Sequence, residues 1–509
     1  MPEYKIPELV SMVENGEISV PELQREFVWS DNQVRELAES IYKNYPIGLI
    51  TLYRLPAELK HGKERYWVLD GQQRLLSLTL ILKGKAEIIK EGRLQTKILN
   101  IWFDPKNERF EIRSPKKAEK WVKISKILEI NSRLELEKYF RSKNLDPEEQ
   151  ERVSALWSIF RGDYKVLVHE LPEDLDIDDL GNIFVRTNFG GTRVKGSDVY
   201  STMIAIAQKD LVKDLREFCS KLPIEIDYGI LIRTFIAFLT KGKVKLASRV
   251  LDQASKLKTE LEKNKNQIRT IADTAKACIE EAIKILREDM GILASYDRYL
   301  PTENVLPVMA YYISKRKHLS RDEKKGLLKW FVLASYFRRY SSSSEARLNE
   351  DLSVIEKGGN YKDLIEKIKE REGDIKERIK DDISRGQWSE LLLYALLREN
   401  NAKDFKTYEL LTTSNLTVHH IFPKKFIVGS EYEDILDDVG NITLVTLGTN
   451  QSLSSELPEN YLPTIPSYTR ESHLIPDNRN LWKLRNCRKF VQKRKELLIK
   501  SVDKFLEDI

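Results

Sequence analysis

Val418-His419-His420-Ile421-Phe422-Pro423, then Gly440-Asn441-Ile442-Thr443-Leu444, then Asn450 nine residues beyond Asn441, is the stretch on which the reading of this chain turns. The β-branched and apolar residues around the two histidines predict a strand. Gly440-Asn441 predicts a turn into a second strand, and a helix carrying Asn450 follows. Adjacent strand residues point to opposite faces, so a bare His-His pair would place one ring inside and one outside. With Pro423, Asn441 and Asn450 in register, a ββα arrangement instead gathers two histidines and two asparagines at one point.

Such a set suits phosphodiester hydrolysis. That reaction needs a base to deprotonate water, and a cation to stabilise the charged transition state and the leaving oxygen. Histidine fits the base role because its unperturbed pKa lies near neutrality. His420 is the candidate base, and His419 and Asn450 are candidate ligands for a divalent metal. Asn441, next to Gly440, would hold the loop through side-chain hydrogen bonds to backbone.

The rest of the chain sets the frame. At 509 residues it is too long for one core and predicts several domains. With 41% hydrophobic and 32% charged residues it reads as globular. A net charge of +6, from 85 basic and 79 acidic side chains, does not by itself mark a nucleic-acid binder, so basic patches must be local. Cys219, Cys278 and Cys487 share no metal-type spacing and fit reduced thiols in a cytoplasmic protein. Neither a signal peptide nor a membrane-spanning run is expected.

Residues 1–200 predict mixed α and β. Ser30 with Gln33 forms a capping box that opens a helix carrying Val34, Leu37, Ile41 and Tyr42 on one face. Strands are predicted at 49–55, 66–69 and 164–169, a helix at 75–82, a hairpin of Ile98 to Phe103 and Phe110 to Arg113 around Asp104-Pro105-Lys106-Asn107, and a helix including Ile183 and Phe184. Residues 205–390 have helical periodicity almost throughout, with 361–382 expected to be a solvated helix face. From 391 the pattern is mixed again and closes with a helix from Trp482 to about Leu506.

A second motif lies near the N-terminus. Asp70-Gly71-Gln72-Gln73-Arg74 runs from a strand into a helix, where free backbone N–H groups can hold a phosphate. Gln72 and Gln73 add amide donors, Arg74 can grip phosphate oxygens in a fork, and Asp70 could hold an ion or a water beside them.

The C-terminal set resembles the HNH endonucleases, in particular the GmrD-like nuclease domain of modification-dependent restriction enzymes. His420-Ile421-x-Pro423, Gly440-Asn441-x-x-Leu444 and the position of Asn450 carry the likeness, and Trp482, Phe490, Arg494 and Leu498 resemble that domain's closing helix. Two departures matter. His419 stands where an acidic residue is usual, and Asn450 where a histidine is. Both ligands are therefore neutral, which disfavours tight Mg²⁺ binding and leaves room for Mn²⁺. Glu431, Glu433, Asp437 and Asp438 are the nearby carboxylates that could complete the set.

Pro21-Glu22-Leu23-Gln24-Arg25, Val28-Trp29, Tyr45-Pro46-Ile47-Gly48, Asp70 to Arg74 and Phe184-Val185-Arg186-Thr187-Asn188, with Gly190-Gly191-Thr192, together resemble the GmrS-like domain over residues 5–205. Thr187 departs from the aliphatic residue more usual there. The resemblance implies a ParB/sulfiredoxin-type α+β fold that binds and hydrolyses nucleoside triphosphates. It implies phosphate-facing roles for Gln24, Arg25, Asp70, Gly71, Gln72, Gln73, Arg74 and Asn188. No cysteine lies near that loop, so sulfiredoxin chemistry is not expected.

Fused GmrS-like and GmrD-like halves form single-chain GmrSD-type defence enzymes. The expectation is therefore an α+β multidomain protein. It has a GmrS-like NTP-binding domain at 1–205, a helical region at 206–390 and a GmrD-like ββα-metal (HNH) domain at 391–509. The implied function is NTP-dependent, modification-directed cleavage of double-stranded DNA in anti-phage (type IV-like) restriction. The implied cofactors are Mg²⁺ or Mn²⁺ and an NTP, and the helical region is a candidate for DNA contact or homodimerisation. The rival is a ParB-like NTP-gated DNA-binding module with an inactive nuclease half.

Overall fold

The computed structural model describes residues 2–19, 27–57, 60, 62–90, 93–113, 119–175, 179, 183, 196–208, 210–242, 250–293, 299–341, 344–453, 455–507 and 509. They form a mixed α/β, multidomain structure. It divides into two compact units: residues 1–220 with 249–265, and residues 221–248 with 266–509. Among the described residues no helix is long and apolar enough to cross a membrane.

The first unit is built on five strands: β1 (Glu3–Lys5), β2 (Ile18–Ser19), β3 (Ile50–Arg54), β4 (Tyr66–Asp70) and β10 (Lys165–Leu171), in the order β1-β10-β3-β4-β2. β10 runs parallel to β3, β3 antiparallel to β4, and β2 parallel to β4. Helix α1 (Ile6–Glu14), α2 (Asp31–Tyr42) and α3 (Gln72–Lys83) share the core of this unit. α3 buries a continuous run from Leu75 to Leu82, which is why its sequence is apolar all round rather than striped. The Ser30–Gln33 box does open α2, whose Val34, Leu37, Ala38 and Ile41 are buried.

The hairpin around residues 104–107 is present but shorter than expected, joining β7 (Trp102–Asp104) to β8 (Arg109–Glu111). Ile98 belongs instead to a separate hairpin of β5 (Lys85–Lys90) and β6 (Arg93–Ile98), which the charge-rich sequence had hidden. β9 (Val122–Lys123) adds a third strand beside β7. In the helix expected around Ile183 and Phe184, Ile183 is helical and Phe184 lies outside the described residues.

The second unit begins as an array of helices, among them Tyr228–Thr240, Ile268–Glu288, Val305–Ser314 and Arg321–Tyr336. The Lys/Glu-rich stretch expected to be solvated is two helices, Tyr361–Glu372 and Ile375–Ser384, parted at Gly373. Each buries an apolar stripe: Leu364, Ile365 and Ile368 on one, Ile375, Ile379 and Ile383 on the other. A charge count over that stretch masks the i, i+3/i+4 isoleucines. The C-terminal part holds β11 (Leu416–His420) antiparallel to β12 (Ile442–Thr446), then a helix Leu447–Leu453 and the closing helix Cys487–Phe505. Trp482 precedes that last helix, in a 3₁₀ turn, Arg479–Trp482, so the helix starts later than expected.

Candidate active site

The register of β11 on β12 pairs His419 with Thr443 and His420 with Ile442, so the two imidazoles take opposite faces. His419 is buried, at 2% exposure. Its Nδ1 lies 2.8 Å from Asn450 Oδ1, on the helix that follows β12, and its Nε2 lies 3.3 Å from the Tyr461 hydroxyl. His420 is partly exposed, and its Nε2 lies 3.2 Å from Asp437 Oδ1.

Asn441 holds the loop after β11 through three bonds. Its Oδ1 accepts from the Phe422 N–H at 2.8 Å, and its Nδ2 donates to the Phe422 and Leu436 carbonyls. Gly440 is required for a different reason: a Cβ there would sit 2.6 Å from the Val491 carbonyl, so only glycine lets the turn lie against the closing helix. Arg494 of that helix is wholly buried and donates to the Val439, Gly440, Ile442 and His473 carbonyls.

Beneath His419 lies a second buried histidine that the sequence did not connect to the site. His473 Nε2 donates to the Lys403 carbonyl at 2.8 Å, which leaves its Nδ1 to accept from the Thr443 hydroxyl at 2.8 Å. Phe405 packs on His473 at 4.5 Å between ring centroids and meets His419 edge-on at 6.3 Å. Asp404, at 1% exposure, accepts from the Thr446 N–H and the Thr449 hydroxyl, and so anchors the turn that delivers Asn450. Burial pushes the Asp404 carboxyl up, but hydrogen bonds from Thr449, Thr446, Thr407 and Lys406 outweigh it and hold it below the usual range.

Burial lowers the pKa of all three histidines. His419 falls to about 4 and His473 to about 3, so both are neutral at physiological pH. His420 is lowered too, by burial first and by the nearby Lys424 charge, against the opposing pull of Asp437. Its imidazole is therefore ready to accept a proton at neutral pH.

The two deeply buried rings predict acid sensitivity. In the unfolded chain each histidine binds a proton below about pH 6.5, whereas in the folded protein His419 and His473 stay neutral until about 4 and 3. Stability is thus fully present above pH 6.5 and falls as the pH drops toward those values. The expected loss is about 1.4 kcal/mol per pH unit for each ring. Calorimetric midpoints at pH 7, 6 and 5 at fixed ionic strength check it, and a pH-independent midpoint over that range would rule it out.

The structure also bears on the missing carboxylate. Among the described residues no group of three or more His, Cys, Asp or Glu side chains is spaced to hold a metal. Asp437 is on His420, and Asp438 caps the Gly440 N–H and pairs with Lys495 at 3.0 Å. What converges is His419 Nδ1 and Asn450 Oδ1. Two donors on one edge of an octahedral divalent ion, with bonds of about 2.1 Å, stand about 3 Å apart. The 2.8 Å spacing, which is also that of an ordinary hydrogen bond, is compatible with such a pair, and His419 and Asn450 would be the residues that hold the ion.

In the first unit, Gly71 joins β4 to α3 in the left-handed region at φ 90°, where a Cβ would meet Ile50 at 3.0 Å. Gly71→Ala is expected to destabilise that unit by about 1–3 kcal/mol, read as a lowered urea midpoint. Gln73 Oε1 accepts from the Val28 and Trp29 N–H groups, so this amide holds the neighbouring segment. Arg74 pairs with Asp70 at 3.3 Å, donates to the Leu49 carbonyl, and lies against Gly48. Gln72 follows Gly71 at the start of α3. Gln24, Arg25 and Asn188 lie outside the described residues.

Of the site residues, Asp404, Tyr461 and His473 were missed by sequence reasoning. Asp404 alone left a signal: it opens a turn with its side chain on the Lys406 and Thr407 N–H groups, as turn aspartates do.

Residues 6–204 match the N-terminal domain of GmrSD restriction endonucleases, and residues 369–501 match the C-terminal domain. The chain belongs to the GmrSD restriction endonuclease family. It is also similar to an uncharacterized protein of Methanocaldococcus jannaschii, at 23% identity over 92% of this chain and 88% of the relative.

Proposed function

We propose that the protein is an NTP-dependent, modification-directed DNA endonuclease whose cutting centre is an HNH-type ββα site. The observation that carries this reading is His420 itself. It is a neutral, partly exposed imidazole at the end of β11, beside the Asn441-held loop, in a chain of a restriction endonuclease family.

His420 takes the proton from the attacking water. With Asp437 on Nε2, the His420 ring is held and its Nδ1 is turned to the reacting water. Lys424, close enough to act on His420 electrostatically, helps to seat a DNA phosphate. His419 and Asn450 would hold a divalent ion, Mn²⁺ before Mg²⁺, and such an ion supplies charge neutralisation at the phosphate and leaving oxygen. In the first unit, read as ParB-like, the α3 N-terminus after Gly71 would hold the triphosphate beside Gln72, and the family resemblance adds Gln24, Arg25 and Asn188 to the nucleotide-binding residues. Arg74 and Asp70 shape the loop from behind, and Gln73 fixes residues 28–29.

A second reading is a nucleotide-gated DNA-binding protein with an inert nuclease half; that no group of three or more His, Cys, Asp or Glu among the described residues is spaced to hold a metal favours it. One experiment separates them. Plasmids that are unmodified, methylated, glucosylated or phosphorothioated are incubated with the protein and Mn²⁺ or Mg²⁺, with and without NTP. Nicking or cutting of a modified plasmid that requires metal and NTP is expected. DNA binding without cleavage under every condition would establish the second reading instead.

A further inference from the structure

Tyr461 is the residue whose position the proposed chemistry leaves unexplained. It is wholly buried, at 1% exposure, on the short helix Pro458–Tyr461, and its hydroxyl reaches two groups at once. One is His419 Nε2 at 3.3 Å; the other is the Ile421 carbonyl at 3.1 Å. A phenol has one proton, so it donates to only one of them.

The Ile421 carbonyl decides which. Ile421 is fully buried, and among the described residues the Tyr461 hydroxyl is the donor that reaches its oxygen. Leaving a buried carbonyl without a donor costs about 1–3 kcal/mol. The hydroxyl proton therefore goes to Ile421, and the phenolic oxygen faces His419 Nε2 as an acceptor. A neutral imidazole has a single N–H, which must then lie on Nε2. Its Nδ1 is left as an acceptor against the Asn450 amide, 2.8 Å away; without a cation the amide NH2 can donate to it, and with one the amide turns its Oδ1 to the ion.

We propose that Tyr461 is a positioning residue that fixes His419 in its Nε2–H tautomer and so presents Nδ1, with Asn450 Oδ1, to a divalent cation. This rests on the metal-site reading above. The relay runs His419 Nε2–H to Tyr461 O–H to the Ile421 carbonyl, with no proton transferred and every buried partner satisfied. It is the arrangement by which metal-binding histidines are commonly oriented, with the second ring nitrogen donating outward.

The test has two arms on the full-length protein. In the metal-free wild type, ¹⁵N-histidine NMR, with the His419 signal assigned by its loss in His419→Gln, reads the tautomer directly. Protonation at Nε2 is expected; a major Nδ1–H form overturns the proposal whether or not metal binds. In the second arm, Mn²⁺ binding is titrated by electron paramagnetic resonance for the wild type, His419→Gln and Tyr461→Phe. Phenylalanine keeps the ring packing, and Tyr461→Phe is expected to weaken Mn²⁺ binding about 10–100-fold. Wild-type affinity in Tyr461→Phe overturns the proposal. Equal Mn²⁺ binding by the wild type and His419→Gln would instead sink the metal-site reading, while the tautomer measured in the first arm still decides the role of Tyr461.

Discussion

Replacing His420 with alanine is expected to abolish DNA cleavage while leaving the protein folded and NTP hydrolysis intact. A positioned general base contributes about 10²–10⁴-fold to rate, so the residual activity should lie at or below the limit of a plasmid-nicking assay. The separation from folding follows from the contacts. His420 is partly exposed, and its side-chain hydrogen bond is to Asp437, itself 78% exposed, so little packing is lost. The separation from NTP turnover follows from placement, because Gly71 and α3 belong to the other compact unit. Cleavage at the wild-type rate by purified His420→Ala would show that the base has been assigned to the wrong residue. Asp437→Asn, which keeps an acceptor oxygen, should fall between the two.

Arg494→Met is expected to have the largest effect on stability, about 3–5 kcal/mol. Methionine fills much of the volume but removes the guanidinium's hydrogen bonds to four buried carbonyls, on Val439, Gly440, Ile442 and His473; Val439 keeps a second donor, the Ile442 N–H. Those carbonyls span the turn before β12 and the segment that holds His473, so the loss falls on the frame of the site. Burial pulls the pKa of this guanidinium down to about 9, which still leaves it charged at neutral pH. The nearby Tyr461 and Asp438 oppose that pull. Urea unfolding followed by tryptophan fluorescence would give the number, and a loss under about 1 kcal/mol would mean that the carbonyls find other donors.

These two residues mark how far the sequence could be read. β11, the Asn441 turn, β12 and the helix bearing Asn450 are local: period-2 alternation, a Gly-Asn turn and fixed spacing carry them. The partners of those residues are not local. Tyr461 reaches His419 across 42 positions, Asp404 reaches Thr449 across 45, and Arg494 reaches Gly440 across 54. No period or motif encodes such pairings, because they arise only when separate elements pack. Asp437 illustrates the same limit: its nearness in sequence made it a candidate ligand, whereas the fold turns it to His420. In the first unit, the strand-to-helix turn at Gly71 was legible. The commitment of Gln73 to residues 28–29 was not, since it depends on a chain segment 45 positions away.

Lys495 on the closing helix donates to the Ser384 carbonyl at 3.0 Å, Lys376 and Lys380 pair with Asp503, and the Val439 N–H donates to the Gly386 carbonyl. The helix Ile375–Ser384 is thus part of the wall against which the turn of the candidate site is set. An excised cutting half beginning at residue 391 would leave that wall behind and bare the apolar side of the closing helix to water. An autonomous nuclease cut from this chain should begin upstream of Asp374, and a protease that clips between residues 384 and 391 should disarm the enzyme without touching any residue that does chemistry.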